Sequence, residues 1–276
     1  MIKKSVISLV SYDAEYLPAS IKTYYEYVDE IILGLDKNRI TWSKNKFTID
    51  EVKLWQELST IDGDGKITVV EEDFVKSDRP IENDNYERNF LKEQCNNEWI
   101  FSFDADEELL NAKDFFTWYC PIVEPYFKTA DLMMTWATPF KTIGEQTLVI
   151  AEPNGDAFLK EPQGVVTSKD STYVFARWTD KSQNQAKRIA SPLIALHWSL
   201  CREKNDLHQK IHNIGHSDIV ENDPFYKIWN EVTIENHGNY KNFKTSGMGP
   251  QWPSLRAIPT NAVKEYYLTF AKGVYS

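Results

Sequence analysis

The first 105 residues alternate between short apolar runs and segments with helical periodicity. Residues 2–11 and 28–36 are rich in Val, Ile and Leu, and each run stops at polar residues. Such near-continuous apolar runs are typical of strands in a parallel sheet that helices cover on both faces. The same pattern predicts strands at 66–72 and 98–103 and helices at 17–25, 49–58 and 83–95. Four strands alternating with helices predict an α/β fold with an open, mostly parallel sheet and helices on both faces.

The pattern after residue 110 is less regular. A wide apolar face between Phe115 and Phe127 predicts one long helix, with Asn111 as its N-cap. The strand signal weakens after Gly155, where Gly164 interrupts polar segments. Apolar runs still predict strands at 131–140, 147–152, 172–178 and 192–199, and short helices at 206–212 and 261–270. We therefore predict one α/β domain over residues 1–200 and a small, mainly helical C-terminal extension over residues 201–276.

Composition and charge exclude several classes of partner. The chain has 276 residues and a formal net charge of −10, which would repel a phosphate backbone, so we predict no nucleic-acid partner. No apolar run approaches the roughly 20 residues that a membrane span needs. We therefore predict no integral membrane segment, and only peripheral membrane association fits the sequence. Cys95, Cys120 and Cys201 lack metal-binding spacing, which predicts free thiols in a reducing, cytoplasmic compartment.

Carboxylates follow three of the predicted strands. Asp13, Asp36 and Asp104 each lie at or just past a strand end, and in an open α/β sheet such ends converge on one ligand crevice. Asp104 and Asp106 lie at a strand-to-turn junction, where both side chains can reach one cation. Mg²⁺ and Mn²⁺ prefer such oxygen ligands, so we predict a divalent metal site here. Because clustered carboxylates repel one another, we expect the loss of Asp106 to cost little stability.

Two stretches resemble the signature region of GT-A glycosyltransferases of the large family 2 type. Tyr-Glu-Arg-Asn-Phe at 86–90 precedes Asn-Glu-Trp-Ile-Phe-Ser-Phe-Asp-Ala-Asp-Glu-Glu at 97–108. In that family an Arg-Asn on a helix precedes a strand that ends in a metal-binding Asp-x-Asp. Residues 6–17 and 28–36 are similar to the family's opening strand, acidic loop and second strand. The resemblance covers residues 5–110 well and 111–200 in outline, and it implies a GT-A-type, Rossmann-like catalytic domain over residues 1–200.

The resemblance implies a metal-dependent sugar transfer. The donor would be a nucleoside diphosphate sugar, with UDP as the predicted nucleotide, and the acceptor a glycan, a lipid-linked sugar or a protein. Mn²⁺ or Mg²⁺ would assist the departure of the diphosphate. The implied roles are Ser11 and Asp13 beside the base, Asp36 near the base or ribose, Arg88 near the diphosphate, and Asp104 and Asp106 at the ribose and metal.

The catalytic base and a third metal ligand are less clearly marked. The Glu-Asp pair that often supplies the base in inverting family members is not visible, and Asp36 stands in Leu-Asp-Lys where the family usually has acidic, Gly and Ser residues. His197 closes an apolar strand and is predicted as a further metal ligand, with a core histidine as the alternative. The candidates for the base, each with a surface charge as the alternative, are Glu152, Asp156 and Asp180.

Two other functions are compatible with parts of the sequence. A nucleotidyltransferase should carry a Gly-rich, basic loop after its first strand, whereas residues 11–15 are Ser-Tyr-Asp-Ala-Glu. A non-catalytic calcium-binding module is suggested by residues 60–71, which place Asp62, Asp64 and Glu71 at EF-hand ligand positions. Thr60 stands where the loop needs its first Asp, so a turn into the third strand is favoured.

Overall fold

The computed structural model describes residues 2–215, 217, 224–243 and 251–271. Its strands are β1 (Lys4–Val10), β2 (Glu30–Asp36), β3 (Ile67–Glu72), β4 (Trp99–Ser102), β5 (Glu107–Leu109), β6 (Asp131–Ala137), β7 (Pro139–Ile143), β8 (Gln146–Ala151), β9 (Glu161–Ser168), β10 (Tyr173–Phe175), β11 (Trp178–Thr179), β12 (Arg188–His197), β13 (Lys241–Phe243) and β14 (Trp252–Pro259). Its α-helices are α1 (Leu17–Lys22), α2 (Glu51–Ile61), α3 (Pro80–Gln94), α4 (Ala112–Asp114), α5 (Cys120–Val123), α6 (Lys204–Asn213), α7 (Pro224–Glu231) and α8 (Val263–Ala271).

The main sheet has eight strands in the order β3-β2-β1-β4-β9-β6-β12-β5. Neighbouring strands from β3 to β4 run parallel, as do β6 and β12. Strand β9 runs antiparallel to both β4 and β6, and β5 runs antiparallel to β12. The predicted α/β fold with a mostly parallel sheet is therefore confirmed. The two reversed strands place their amino ends at the edge where the other strands have their carboxyl ends.

The core lies between this sheet and the helices that cover it. All seven residues of β1 are buried, and the central cluster joins apolar residues of β1, β2 and β4 to those of the helix at 17–22 and the helical segment at 112–127. Helix α3 packs closely against β2 at Gly34, where an added Cβ would lie 2.6 Å from Leu91 Cδ1. A larger residue at position 34 would have to displace the Leu91 side chain, so the glycine lets α3 lie close to the sheet.

The predicted long helix from Asn111 to Phe127 is interrupted, so that prediction is wrong in detail. Helix α4 leads into a π-helical turn over Phe115–Tyr119, then α5 and a 3₁₀ turn over Glu124–Tyr126. Pro121 and Pro125 lack the backbone N–H that a regular helix needs, which accounts for the interruptions. Asn111 stands at the N-cap position of α4, as predicted, but its side chain makes no capping hydrogen bond. It bonds β12, where it donates to the Pro192 carbonyl and accepts from the Ile194 amide.

Residues beyond 200 share a second sheet with the preceding part of the chain. That sheet has the order β13-β14-β8-β7, and β14 pairs antiparallel with β8, with Leu255 opposite Ile150. The small helical end was predicted, but β13 and β14 were not. Residues 247–253 are rich in Gly and Pro, and residues 247–250 among them lie outside the described residues.

The sequence predicted free thiols and no integral membrane segment. Cys95 and Cys120 are buried, Cys201 is half-buried, and all three are free thiols. None of the helices in the described ranges is both long enough and apolar enough to span a bilayer.

Candidate functional site

A cavity of about 750 Å³ opens at the edge where the parallel strands end. Strand β1 delivers the loop at 11–13 to it, β4 delivers the turn at 104–106, and β12 ends there at position 197. The structure thus brings together side chains from distant parts of the chain. The predicted donor-binding and metal-binding residues that line the cavity are Ser11, Asp13, Asp36, Arg88, Asp104, Asp106 and His197.

Asp104 is held between two arginines. Arg88 Nη2 lies 3.1 Å from Asp104 Oδ1, and Arg177 Nη2 lies 2.7 Å from Asp104 Oδ2. Burial alone would raise the pKa of Asp104, but Arg177 and Arg88 hold that pKa well below its usual range. Arg88 is itself fixed, because its Nε donates to Asp84 and its Nη1 donates to Ser102. Asp104 is therefore an ionised carboxylate at neutral pH.

Asp106 is held between two other cations. Arg202 Nη2 lies 2.6 Å and Lys210 Nζ lies 2.7 Å from the same oxygen, Asp106 Oδ2. Both cations also contact Asp13 Oδ2, at 3.2 and 3.4 Å. Burial favours the neutral acid, but Lys210 and Arg202 hold the pKa of Asp106 well below its usual range. The segment beyond residue 200 therefore completes the surroundings of the Asp-x-Asp turn.

Arg177 reaches the cavity on a small hairpin formed by β10 and β11, which helix α3 holds in place. Asn89 donates to the Tyr173 carbonyl and accepts from the Tyr173 amide. Asn85 donates to the Val174 carbonyl and accepts from the Ala176 amide. The Asn of the Arg-Asn pair on α3 thus positions a second arginine. Gly164 in β9 allows this, since an added Cβ would lie 2.5 Å from the Arg177 carbonyl oxygen.

Glu107 and Trp136 form the wall behind the Asp-x-Asp turn. Glu107 Oε2 lies 2.7 Å from Arg177 Nη2, and Glu107 Oε1 accepts from Trp136 Nε1 at 2.5 Å. Burial raises the pKa of Glu107 to about 7, although Arg177 opposes this. The Trp136 ring stacks on the His197 ring with centroids 4.0 Å apart. Burial lowers the pKa of His197 to about 3, so its imidazole is neutral at physiological pH.

Two of the metal-ligand candidates face each other. His197 Nε2 lies 3.7 Å from Asp106 Oδ1, and this buried oxygen has no hydrogen-bond partner in the described part of the chain. An unpartnered carboxylate oxygen beside a neutral imidazole fits a divalent metal ion with two protein ligands. Across residues 2–215, 217, 224–243 and 251–271, no group of three His, Cys, Asp or Glu side chains is arranged to hold a metal.

Asp36 lines the cavity, but its oxygens are used by the backbone. Its Oδ1 accepts from the amides of Asn38 and Ile40, and its Oδ2 accepts from the amide of Phe74. The carboxylate thereby fixes the chain where β2 and β3 end. The predicted role of Asp36 beside the base or ribose stays a prediction.

The three predicted candidates for the catalytic base lie apart from the cavity. Glu152 Oε1 pairs with Lys160 Nζ at 2.7 Å. Asp156 is exposed and accepts from Asn154, and Asp180 is exposed and accepts from the Thr172 and Lys181 amides. All three belong to the described residues, and none of them lines the cavity.

A different carboxylate, Glu161, does line the cavity. It is the first residue of the antiparallel strand β9 and lies opposite Trp136 on β6. Its Oε1 accepts from Trp252 Nε1 at 2.7 Å, and its Oε2 accepts from Thr138 Oγ1 at 3.3 Å. These donors hold the carboxylate at the wall of the cavity.

The EF-hand-like loop serves as a turn between α2 and β3. Asp62 Oδ1 accepts from the Lys66 amide at 2.6 Å and from the Tyr25 hydroxyl at 2.8 Å. Glu71 Oε1 instead pairs with Arg39 Nη2 at 2.6 Å. Since Asp62 and Glu71 have separate partners, the calcium-module alternative gains no support.

Buried Glu87 should make stability depend on pH. Burial raises its pKa from 4.5 to about 8, and Trp42 Nε1 donates to its Oε2 at 2.7 Å. A carboxyl with a higher pKa in the folded state binds more protons when folded, so its contribution to stability is lost as pH rises from about 5 to about 8. Glu87→Gln keeps an acceptor for Trp42 and removes the titration.

We expect the melting temperature of Glu87→Gln to fall less than that of the unaltered protein between pH 5 and pH 8.5. The difference should be several degrees at the higher pH and small at the lower pH. Calorimetric melting across this range checks it. Parallel pH profiles would mean that folding leaves the pKa of Glu87 unchanged.

Comparisons with known proteins are limited to weak structural similarities. No protein family matches the chain, and no curated protein is significantly similar. S. aureus TarS 1–349 in complex with UDP-GlcNAc aligns with a TM-score of 0.38 and 11% identity, over 85% of this chain and 77% of that chain. The same TarS segment in complex with UDP aligns with a TM-score of 0.33 and 13% identity, over 52% of this chain and 37% of that chain.

S. aureus TarS itself aligns with a TM-score of 0.32 and 13% identity, over 52% of this chain. The chain thus spans 77% of TarS 1–349 in the alignment with the UDP-GlcNAc complex, 37% in the alignment with the UDP complex, and 22% of the TarS structure. Similarity at this level does not by itself assign an activity to this chain.

Proposed function

We propose that this protein transfers a sugar from a nucleoside diphosphate sugar, with UDP as the expected nucleotide, to a glycan, lipid-linked or protein acceptor. The observation that carries the proposal is the Asp-x-Asp turn at the end of β4. Its two carboxylates line a cavity at the carboxyl edge of a parallel sheet, and four cations, Arg88, Arg177, Arg202 and Lys210, lie within 3.1 Å of them. Ionised carboxylates and cations at such an edge suit a ribose and a diphosphate.

The donor would lie along the loop after β1 and the Asp-x-Asp turn. Ser11 and Asp13 would border the base, Asp104 the ribose, and Arg88 and Arg177 would keep Asp104 ionised and in place. Trp136, Trp178 and Trp252 also line the cavity.

Mg²⁺ or Mn²⁺ remains part of the proposal. Asp106 and His197 are the residues that would hold the ion, because the buried Asp106 Oδ1 and the neutral His197 Nε2 face each other. When bound, the ion would supply positive charge that neutralises the leaving diphosphate.

Glu161 is our candidate for the catalytic base. In a direct displacement, the acceptor oxygen forms a bond to the anomeric carbon while the bond from that carbon to the diphosphate oxygen breaks. The acceptor hydroxyl must lose its proton, and a carboxylate at the cavity wall can take it. Glu161 lies at that wall, with Trp252 and Thr138 fixing its two oxygens.

Titration calorimetry with nucleoside diphosphates tests both donor binding and the metal. We expect UDP to bind clearly more tightly with Mn²⁺ than with EDTA, because the ion adds positive charge beside carboxylates. Similar UDP affinity in both conditions would reject the metal. Failure of every nucleoside diphosphate to bind in the presence of Mn²⁺ would reject the proposed function.

A further inference from the structure

Helix α6 carries a lysine to the Asp-x-Asp turn. Lys210 Nζ lies 2.7 Å from Asp106 Oδ2 and 3.4 Å from Asp13 Oδ2, and its side chain is 12% exposed. Lys210 also lines the cavity. An ammonium has three N–H donors, and within the described residues two carboxylates accept from it. One donor therefore remains for a ligand in the cavity.

Arg202 is placed differently, although it contacts the same two carboxylates. Its side chain is fully buried, its Nε donates to the Trp198 carbonyl at 3.2 Å, and its Nη1 donates to Asp206 Oδ1 at 3.1 Å. The guanidinium carbon also lies 4.5 Å from the centre of the Tyr16 ring. These contacts fix Arg202, so it can hold Asp106 and Asp13 when another cation leaves them.

We propose that Lys210 binds the diphosphate of the donor and that Arg202 is a positioning residue for Asp106 and Asp13. The contact of Lys210 with Asp13 is the longer of its two, and the lysine stem is flexible enough to turn the ammonium towards a phosphate oxygen. A charge-assisted bond between ammonium and phosphate oxygen is stronger than one between neutral groups. The assignment of the donor's diphosphate as the ligand of Lys210 rests on the proposed function. The position of the Lys210 ammonium and its contacts with Asp106 and Asp13 do not depend on that function.

The test compares pyrophosphate binding by the unaltered protein and three variants in Mg²⁺ buffer. We expect Lys210→Gln to bind inorganic pyrophosphate at least about tenfold more weakly than the unaltered protein, because a hydrogen bond to a charged group is lost. Lys204→Gln removes the same charge from an exposed position on the same helix and should bind it as the unaltered protein does. Lys210→Arg keeps the charge and should retain most of the affinity.

Two outcomes would overturn the inference: equal pyrophosphate affinity for Lys210→Gln and the unaltered protein, or no pyrophosphate binding by the unaltered protein. Pyrophosphate binding that depends on Lys210, together with no binding of any nucleoside diphosphate, would reject the proposed function and leave the role of Lys210 intact. Melting curves check that each variant folds. Lys210→Met, which keeps the stem and removes the charge, replaces the Gln variant if that variant does not fold.

Discussion

Glu161→Gln should slow sugar transfer by about two to four orders of magnitude, the range for loss of a general base. The amide oxygen of Gln can still accept from Trp252 Nε1, which lies 2.7 Å from Glu161 Oε1, so the wall of the cavity should keep its shape. Gln has no basic oxygen at neutral pH and cannot take the acceptor proton. We therefore expect kcat to fall while the affinity for UDP stays unchanged.

The same assay separates Glu161 from the candidates that the sequence predicted. Glu152→Gln removes a carboxylate that does not line the cavity but pairs with Lys160, which does, and it serves as the matched rival. Loss of transfer in Glu152→Gln with normal transfer in Glu161→Gln would reject Glu161 and return the role to the predicted set. Weaker UDP binding in Glu161→Gln would show instead that this residue serves the donor.

The parts of the fold that the sequence predicted are those with local patterns. Strands β1 to β4 and helices α2 and α3 follow from apolar runs and helical periodicity, because each buries one face or two faces against a neighbour. Strand β9 was missed because Gly164 interrupts its apolar pattern. The reason for that glycine is tertiary, since the Arg177 carbonyl crosses it. Strand β14 was missed because its partner, β8, lies about a hundred residues earlier.

The sequence likewise predicted some residues of the site and missed others. Asp104 and Asp106 could be found because a buried strand ends directly before them. Arg177, Arg202 and Lys210 were missed because single basic residues are normally solvated surface charges. Arg202 and Lys210 could have been considered as site residues, because both follow the apolar strand that ends at His197. Glu161 gave no such signal, because it begins a strand that runs opposite to its neighbours.

The ion pairs of Asp106 change the expected effect of its loss on the stability of the protein. From the sequence, clustered carboxylates suggested that the loss would cost little stability. The structure places two cations, Arg202 and Lys210, against one oxygen of Asp106, and the Asp106 and Arg202 side chains are fully buried. Removing one partner of a buried ion pair leaves an uncompensated charge and typically costs about 3–5 kcal/mol. Repulsion among the acids is the smaller effect.

We therefore expect Asp106→Asn to abolish transfer and to lower the melting temperature by about 6–12 °C, taking about 3 kcal/mol and about 2–4 °C for each kcal/mol. Asp78→Asn, in an exposed pair with Lys44, should leave the melting temperature unchanged. The double variant Asp106→Asn with Lys210→Met should lose less stability than the two single variants combined, because the second change removes a cation whose closer carboxylate partner the first has already removed. Denaturant unfolding of all four proteins of this cycle measures the coupling. Strictly additive losses, or an unchanged melting temperature for Asp106→Asn, would mean that Asp106 and Lys210 do not form a buried pair.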